Sequence, residues 1–236
     1  MLQNTDPRIV FLDEHVVVVD KPGGMPSVPA RSPLEPICVG ARLAELHGPL
    51  EAVHRLDRDT SGLLVLARNA PARAALGRAF EARDVRKRYL AVVTGSPPRD
   101  SGVVHLPLAD DPNLPPRKRV DPVAGRPATS RWRSLATAGP PDHELTLLEL
   151  EPVTGRSHQL RAHLAWLGLP IVGDRLYGPV GKAPPDPATA ASDRAVPLAL
   201  HACGIDFPHP VDGRRIELRC PVPTAPPWTL FPYAAS

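Results

Sequence analysis

Cysteine is scarce. Cys38, Cys203 and Cys220 are an odd set with no CxxC pair and no metal-ligand spacing. That excludes a secreted disulfide framework and fits free thiols in a reducing cytoplasm. Long apolar runs are missing as well. The longest mostly apolar stretch, Leu164 to Val172, is far too short to span a bilayer and contains Pro170. The opening Met1-Leu2-Gln3-Asn4-Thr5-Asp6 has neither a basic n-region nor a long apolar h-region. The expectation is a soluble cytoplasmic protein with no membrane partner. Familiar cofactor and metal signatures are absent too: no P-loop, GxGxxG, HExxH or Gly-x-Ser-x-Gly, and no zinc-deaminase pairing of His-x-Glu with Pro-Cys-x-x-Cys. Lysine is rare, with 4 residues against 24 arginines. Genome composition alone can produce that bias, so its value depends on where the arginines sit.

What is present describes a folded chain. With 42% hydrophobic and 22% charged residues over 236 positions, it suits one sizeable globular domain with room for two lobes. A formal net charge of +3 permits an anionic partner without proving one. The 32 prolines crowd into a few stretches and leave the apolar segments clear.

Ile9 to Leu12 and Val16 to Val19 read as two strands joined by a tight turn, and Lys21-Pro22-Gly23-Gly24-Met25-Pro26 then breaks the pattern. A helix is expected from about Ile37 to Leu46, a buried strand over Gly62 to Ala67, and the clearest helix over Ala70 to Arg83. Strands follow at Tyr89 to Val93 and His143 to Val153. Ser157 to Leu167 is the third helix, with Ser157 as its N-cap. Pro197 to Phe207 and Arg215 to Arg219 supply the last strands. The proline-rich regions from Pro97 to Pro127 and Pro179 to Pro197 are expected to be loops or insertions. Strands outnumber helices and do not alternate with them regularly, which points to an α+β fold.

Four segments carry groups that can do chemistry. His54-Arg55-Leu56-Asp57-Arg58-Asp59-Thr60-Ser61-Gly62 packs acids, bases and hydroxyls into a strand entry, where catalytic groups often sit. On spacing alone, a solvated turn with Asx-type hydrogen bonds is the favoured reading. In Thr154-Gly155-Arg156-Ser157-His158-Gln159-Leu160-Arg161 a turn feeds a helix with His158 and Arg161 on one face. Its amides and arginines suit a phosphate or carboxylate, and a capped surface helix fits as well. Lys87-Arg88-Tyr89 could stack a base beside its phosphate, although strand tyrosines more often belong to the core. Arg117-Lys118-Arg119, with Arg126, Arg131 and Arg133 behind it, is either a solvated face or a nucleic-acid contact.

In order, these segments resemble the RluA family of RNA pseudouridine synthases from about Ile9 to Pro223. Val18-Val19-Asp20-Lys21-Pro22-Gly23-Gly24 matches its opening strand and turn, and His54-Arg55-Leu56-Asp57-x-x-Thr60-Ser61-Gly62 its catalytic signature. Lys87-x-Tyr89, Thr154 to Arg161, Gly173-Asp174-x-x-Tyr177-Gly178 and Leu200-His201-Ala202 complete the series. Within the family the chain is most similar to short members that modify the tRNA anticodon loop and a 23S rRNA site.

The resemblance implies a mixed, mostly antiparallel sheet in two lobes flanked by helices and loops, with an active-site cleft between the lobes. It also implies a single catalytic domain over residues 1–236, with no N-terminal S4-type domain. Asp57 would be the catalytic carboxylate, with Arg161 as its guanidinium partner and Tyr89 on the face of the flipped uracil. Arg55 would fill the vacated stack. Lys21, His54, Arg156, His158, Arg117, Lys118 and Arg119 complete the expected RNA contacts. The partner would be tRNA, 23S rRNA or both, and the protein a monomer. No redox or phosphate-transfer step occurs, so no cofactor or metal is expected. Two rivals need fewer of these residues: a non-catalytic RNA-binding protein, and a nucleoside or carbohydrate hydrolase pairing Asp57 with a second carboxylate.

Overall fold

The structure is a computed structural model and describes residues 6–29, 37–140, 143–178 and 196–232. In chain order these form β1 (Arg8–Leu12), β2 (Val16–Lys21), α1 (Val39–His47), β3 (Glu51–Ala52), β4 (Ser61–Ala67), α2 (Ala70–Glu81), β5 (Arg86–Thr94), β6 (Ser101–His105), β7 (Leu108–Asp110), β8 (Lys118–Val120), β9 (Thr129–Ala138), β10 (Leu145–Pro152), α3 (Gln159–Trp166), β11 (Leu200–Pro208) and β12 (Arg215–Arg219). The chain divides into two compact units, Met1–Lys87 with His201–Cys220, and Arg88–Leu200 with Pro221–Ser236. Mostly antiparallel strands with three helices among the described residues make this an α+β fold.

In the first unit β1 and β2 form a hairpin whose turn is closed by Asp13. Its Oδ1 accepts from the amides of His15 and Val16, both at 2.8 Å. β2 then pairs antiparallel with β4 along its length, and β3 pairs with β4 as well. β11 joins β4 in parallel, with His201 opposite Ser61 and Ala202 opposite Gly62, and β12 pairs antiparallel with β11. Val16 to Val19 and Leu64 to Leu66 are fully buried, so both faces of these strands are covered. That is why they read as continuous apolar runs rather than alternating ones. α2 covers one face through Ala72 and Leu76. Asn69 caps it by accepting from the Ala72 amide at 2.9 Å, and Pro71 sits in its first turn.

The second unit is antiparallel. β10 pairs with β5 on one side and β9 on the other, β9 pairs with β6, and β7 and β8 form a separate hairpin. A small core of Leu108, Ala128, Ala162, Ala165 and Tyr177 lies beneath α3.

The sequence expectations fail here in two places. Residues 97–127 hold β6, β7 and β8 rather than loops alone, and β9 was not anticipated. β9 alternates buried Ser130 and Trp132 with exposed Arg131 and Arg133, a period of two without aliphatic residues to announce it. The expected loop from 179 to 197 lies outside the described residues except for its last two positions.

Candidate active site

Asp57 sits in the loop between β3 and β4, half-buried, with Leu56 buried before it and Arg58 and Asp59 exposed after it. The loop is a turn closed by the Thr60 amide on the Asp57 carbonyl at 3.1 Å. Its backbone is gripped from both sides. The Ser27 hydroxyl donates to the Leu56 carbonyl at 2.8 Å and accepts from the Leu56 amide at 3.0 Å. The Gly24 amide donates to the Arg58 carbonyl at 2.9 Å, and the Arg58 guanidinium donates back to the Gly24 carbonyl at 3.1 Å. Gly62 then lets β4 start. Its φ is +107°, and a Cβ there would lie 2.4 Å from the Ala202 carbonyl oxygen on the parallel strand β11.

Lys21 completes the grip, and its role differs from the RNA contact expected of it. The side chain is 0% exposed, and Nζ donates to the carbonyls of Pro22, Met25 and Arg58 at 2.9, 2.8 and 2.9 Å. All three ammonium protons are therefore spent on backbone, tying the 22–25 turn to the Asp57 loop. Burial pushes its pKa down to about 7, against the pull of Asp59, Asp57 and Asp20.

His54 anchors the start of the loop to β4. Its Nε2 accepts from the Val65 amide at 3.1 Å, and its ring stacks on Phe80 with centroids 4.8 Å apart. Burial, aided by the charge of Lys87, pushes its pKa down to about 3, so it is neutral at physiological pH. It fixes the start of the loop. Arg55 is exposed and makes no hydrogen bond or ion pair among the described residues.

In the second unit Arg161 lies on α3, buried, in a two-pronged fork with Asp174: Nε to Oδ2 and Nη2 to Oδ1, each 2.8 Å. Asp174 Oδ1 also accepts the amides of Leu176 and Tyr177 at 2.9 and 3.2 Å. The Tyr177 ring lies under the guanidiniums of both Arg161 and Arg117, 5.3 and 5.2 Å from the ring centroid. Its hydroxyl accepts from the Lys118 amide at 2.7 Å and meets His158 Nδ1 at 3.0 Å.

The helix start is not capped by Ser157. His158, in the left-handed region at φ 54°, precedes α3, and Gln159 organises the turn instead. The Gln159 amide oxygen accepts from the Thr154 hydroxyl and the Arg156 amide, while its nitrogen donates to the Thr129 carbonyl and Ser130 Oγ. Ser130 Oγ then meets His163 Nδ1 at 2.9 Å, and His163 Nε2 meets the Leu106 carbonyl at 3.0 Å. A carbonyl can only accept, so the neutral ring carries its proton on Nε2 and Nδ1 accepts from Ser130. Arg156 Nε donates to the Pro127 carbonyl at 3.1 Å.

Tyr89 is buried on β5 opposite Leu150 of β10. The basic insertion is more neutral than its sequence suggests. Lys118 pairs with Asp110, Arg119 with Asp121 at 2.9 Å, Arg131 with Glu151 and Arg133 with Glu149.

Residues 15–166 match the family described as RNA pseudouridylate synthase. The chain belongs to this family. As an RNA pseudouridine synthase it is 42% identical over 216 residues to the dual-specificity RNA pseudouridine synthase RluA of Vibrio vulnificus, covering 89% of this chain and 81% of that protein. It is 38% identical over 213 residues to the enzyme of the same name from Escherichia coli, covering 90% and 92%. Human RNA pseudouridylate synthase domain containing 1 superposes with a TM-score of 0.77 at 26% identity, covering 96% of this chain and 88% of that one. Asp174, Tyr177, Gln159 and Ser27 were given no role by sequence reasoning for this synthase. The signal for the first three was available, since Asp174 and Tyr177 stand in Gly173-Asp174-x-x-Tyr177-Gly178 and Gln159 in Thr154 to Arg161.

Proposed function

We propose that this RNA pseudouridine synthase converts specific uridines of structured RNA, in the tRNA anticodon loop, 23S rRNA or both, using Asp57 as its catalytic carboxylate. The reaction breaks the bond from uracil N1 to ribose C1′, turns the base and closes a bond from C5 to C1′. A proton leaves C5 and N1 gains one. No electrons or phosphoryl groups change hands, so the isomerisation itself calls for no cofactor.

The observation that carries the assignment is the treatment of the Asp57 loop. Lys21, Ser27 and Gly24 hold its backbone and His54 anchors its start to β4, while Asp57 is only half-buried. A mere solvated turn does not need a fully buried ammonium to fix one of its carbonyls. Pre-set geometry of this kind is what a reacting carboxylate requires.

Arg161 is assigned as the cationic partner of the reacting carboxylate, and Tyr89 as the ring that faces uracil with its hydroxyl available to C5. Arg55 is assigned to the space left by the extruded base, where a planar guanidinium replaces a base face. The whole chain acts as one catalytic domain, as a monomer in the cytoplasm. The test is tritium release from 5-tritiated uridine in tRNA and 23S rRNA transcripts, followed by site mapping. Asp57→Asn should release no tritium and still bind the transcript. Release at the wild-type rate from Asp57→Asn would remove Asp57 from the mechanism, and free uracil in the supernatant would indicate a hydrolase.

A further inference from the structure

Beside the Lys21 clamp lies a second cluster that the isomerisation does not use. Asp20 precedes Lys21 on β2, His201 faces Ser61 in the parallel ladder of β11 with β4, and Cys220 follows β12. A carboxylate oxygen, an imidazole nitrogen and the thiol sulfur lie within 4.8 Å of one another. His201 is 1% exposed and Cys220 6% exposed. His201 Nε2 is 3.2 Å from Cys220 Sγ, and its Nδ1 is 2.9 Å from Ser61 Oγ.

We propose that Asp20, His201 and Cys220 form a three-ligand site for a divalent cation of the zinc class, with water as the fourth ligand. Thiolate, imidazole and carboxylate together are the donor set such ions select. Tetrahedral bonds of about 2.0–2.3 Å hold neighbouring donors roughly 3.3–3.8 Å apart. The cluster therefore needs only a small contraction. Ser61 supplies the outer support that a metal-bound histidine needs: with Nδ1–H donated to Ser61 Oγ, Nε2 is left as the acceptor facing the other two donors.

Asp20 is the way in. Its side chain is 23% exposed, and only Oδ2 is engaged by the solvent-exposed Arg8, at 3.1 Å. Binding replaces the Cys220 thiol proton with the ion and releases that proton to solvent. A Ser61–His201–Cys220 hydrogen-bond chain without an ion accounts for two of the three donors, and the Arg8 pair engages one oxygen of the third, leaving Asp20 Oδ1 for the ion. No ligand spacing shows in the sequence because the donors stand at positions 20, 201 and 220 and converge only through strand pairing. A bound ion would tie β2, β11 and the segment after β12 together at the base of the Asp57 loop, as a structural staple.

The experiment titrates the chelator-stripped full-length protein with Co²⁺, then displaces it with Zn²⁺. One equivalent of Co²⁺ should produce a thiolate-to-cobalt charge-transfer band with tetrahedral visible absorption. Zn²⁺ should bleach both and raise Tm. The Cys38→Ser/Cys203→Ser double variant keeps Cys220 as its one thiol and should show the same band at the same stoichiometry. Cys220→Ser should lose the band and the Tm rise. The proposal is overturned if wild type gives no thiolate band, if the double variant loses it, or if folded Cys220→Ser retains it. Should Cys220→Ser fail to fold, the double variant alone decides.

Discussion

Asp174→Ala isolates the fork that holds Arg161. Both side chains are shut away from solvent, at 5% and 0% exposure, and two charge-assisted bonds of 2.8 Å join them. Removing the carboxylate leaves a guanidinium where water cannot replace it, at a cost of about 3–5 kcal/mol. The same substitution strips acceptors from the amides of Leu176 and Tyr177, adding roughly 1 kcal/mol. For a chain of this size each kcal/mol moves Tm by about 2–4 °C, so a fall of roughly 10–20 °C is expected by far-UV circular dichroism. The cost arises from the buried charge that loses its fork and not from the missing carboxylate as such. Asp174→Ala/Arg161→Met should therefore be more stable than Asp174→Ala, although it carries an additional substitution. Strictly additive losses in the double variant would refute the reasoning.

Lys21 should leave a signature in pH. Its folded pKa of about 7 lies below the ordinary 10.5. Between those values the unfolded chain binds more protons than the folded one, so stability climbs as pH rises through the window, and the full burial cost applies below it. Urea midpoints from pH 6 to 9 should show that climb in wild type and not in Lys21→Met; parallel profiles would contradict it. Gly62→Ala forces a Cβ to 2.4 Å from the Ala202 oxygen at a φ of +107°. A loss of roughly 2–5 kcal/mol in urea unfolding is expected, and an unchanged midpoint would mean that β4 and β11 do not approach this closely. Tyr89→Phe should bind the RNA transcript with wild-type affinity and release tritium slowly; normal turnover would take the hydroxyl out of the reaction.

Strand runs made of aliphatic residues were legible from the sequence. Val16 to Val19 and Gly62 to Ala67 were both placed within a residue or two of their observed bounds, because covering both faces leaves a continuous apolar run. β9 was not legible, since Ser130 and Trp132 face inward where aliphatic residues usually announce a strand. Gly102 explains part of that choice: it lies opposite Trp132, and a Cβ on it would come within 2.8 Å of the indole. The Ser157 cap failed for a different reason. A nearby hydroxyl looks like a cap in sequence, but the Gln159 amide group, bonded to Thr154, Arg156, Thr129 and Ser130, fixes the turn through partners 29–30 residues away as well as local ones. At the candidate site the motifs were legible, and the hydrogen-bond partners of their side chains were not. Whether a cation meets RNA or backbone depends on burial, and Lys21 looks identical to a phosphate ligand until its three carbonyl partners are visible.

Burial also decides which cations can serve the substrate. A phosphate that approaches an exposed, ion-paired arginine has to displace a carboxylate whose pairing is worth about 0.2–1 kcal/mol. Arg131 with Glu151, Arg133 with Glu149 and Arg119 with Asp121 are pairs of this kind, with arginine side chains 58%, 61% and 48% exposed. Exchange of partners there costs little, and the cation then gains from release of the phosphate counterions. Lys21 and Arg161 stand at the other extreme. Freeing either would strip a cationic donor from buried carbonyls or from a buried carboxylate, a loss of several kcal/mol that one phosphate contact does not offset. Two populations of positive charge follow from the same sequence bias toward arginine. The exposed one is exchangeable and available to RNA, with Arg55 needing no exchange at all. The buried one holds the Asp57 loop and the Arg161 helix in place, and a salt titration of RNA binding should respond to substitutions in the first population and not in the second.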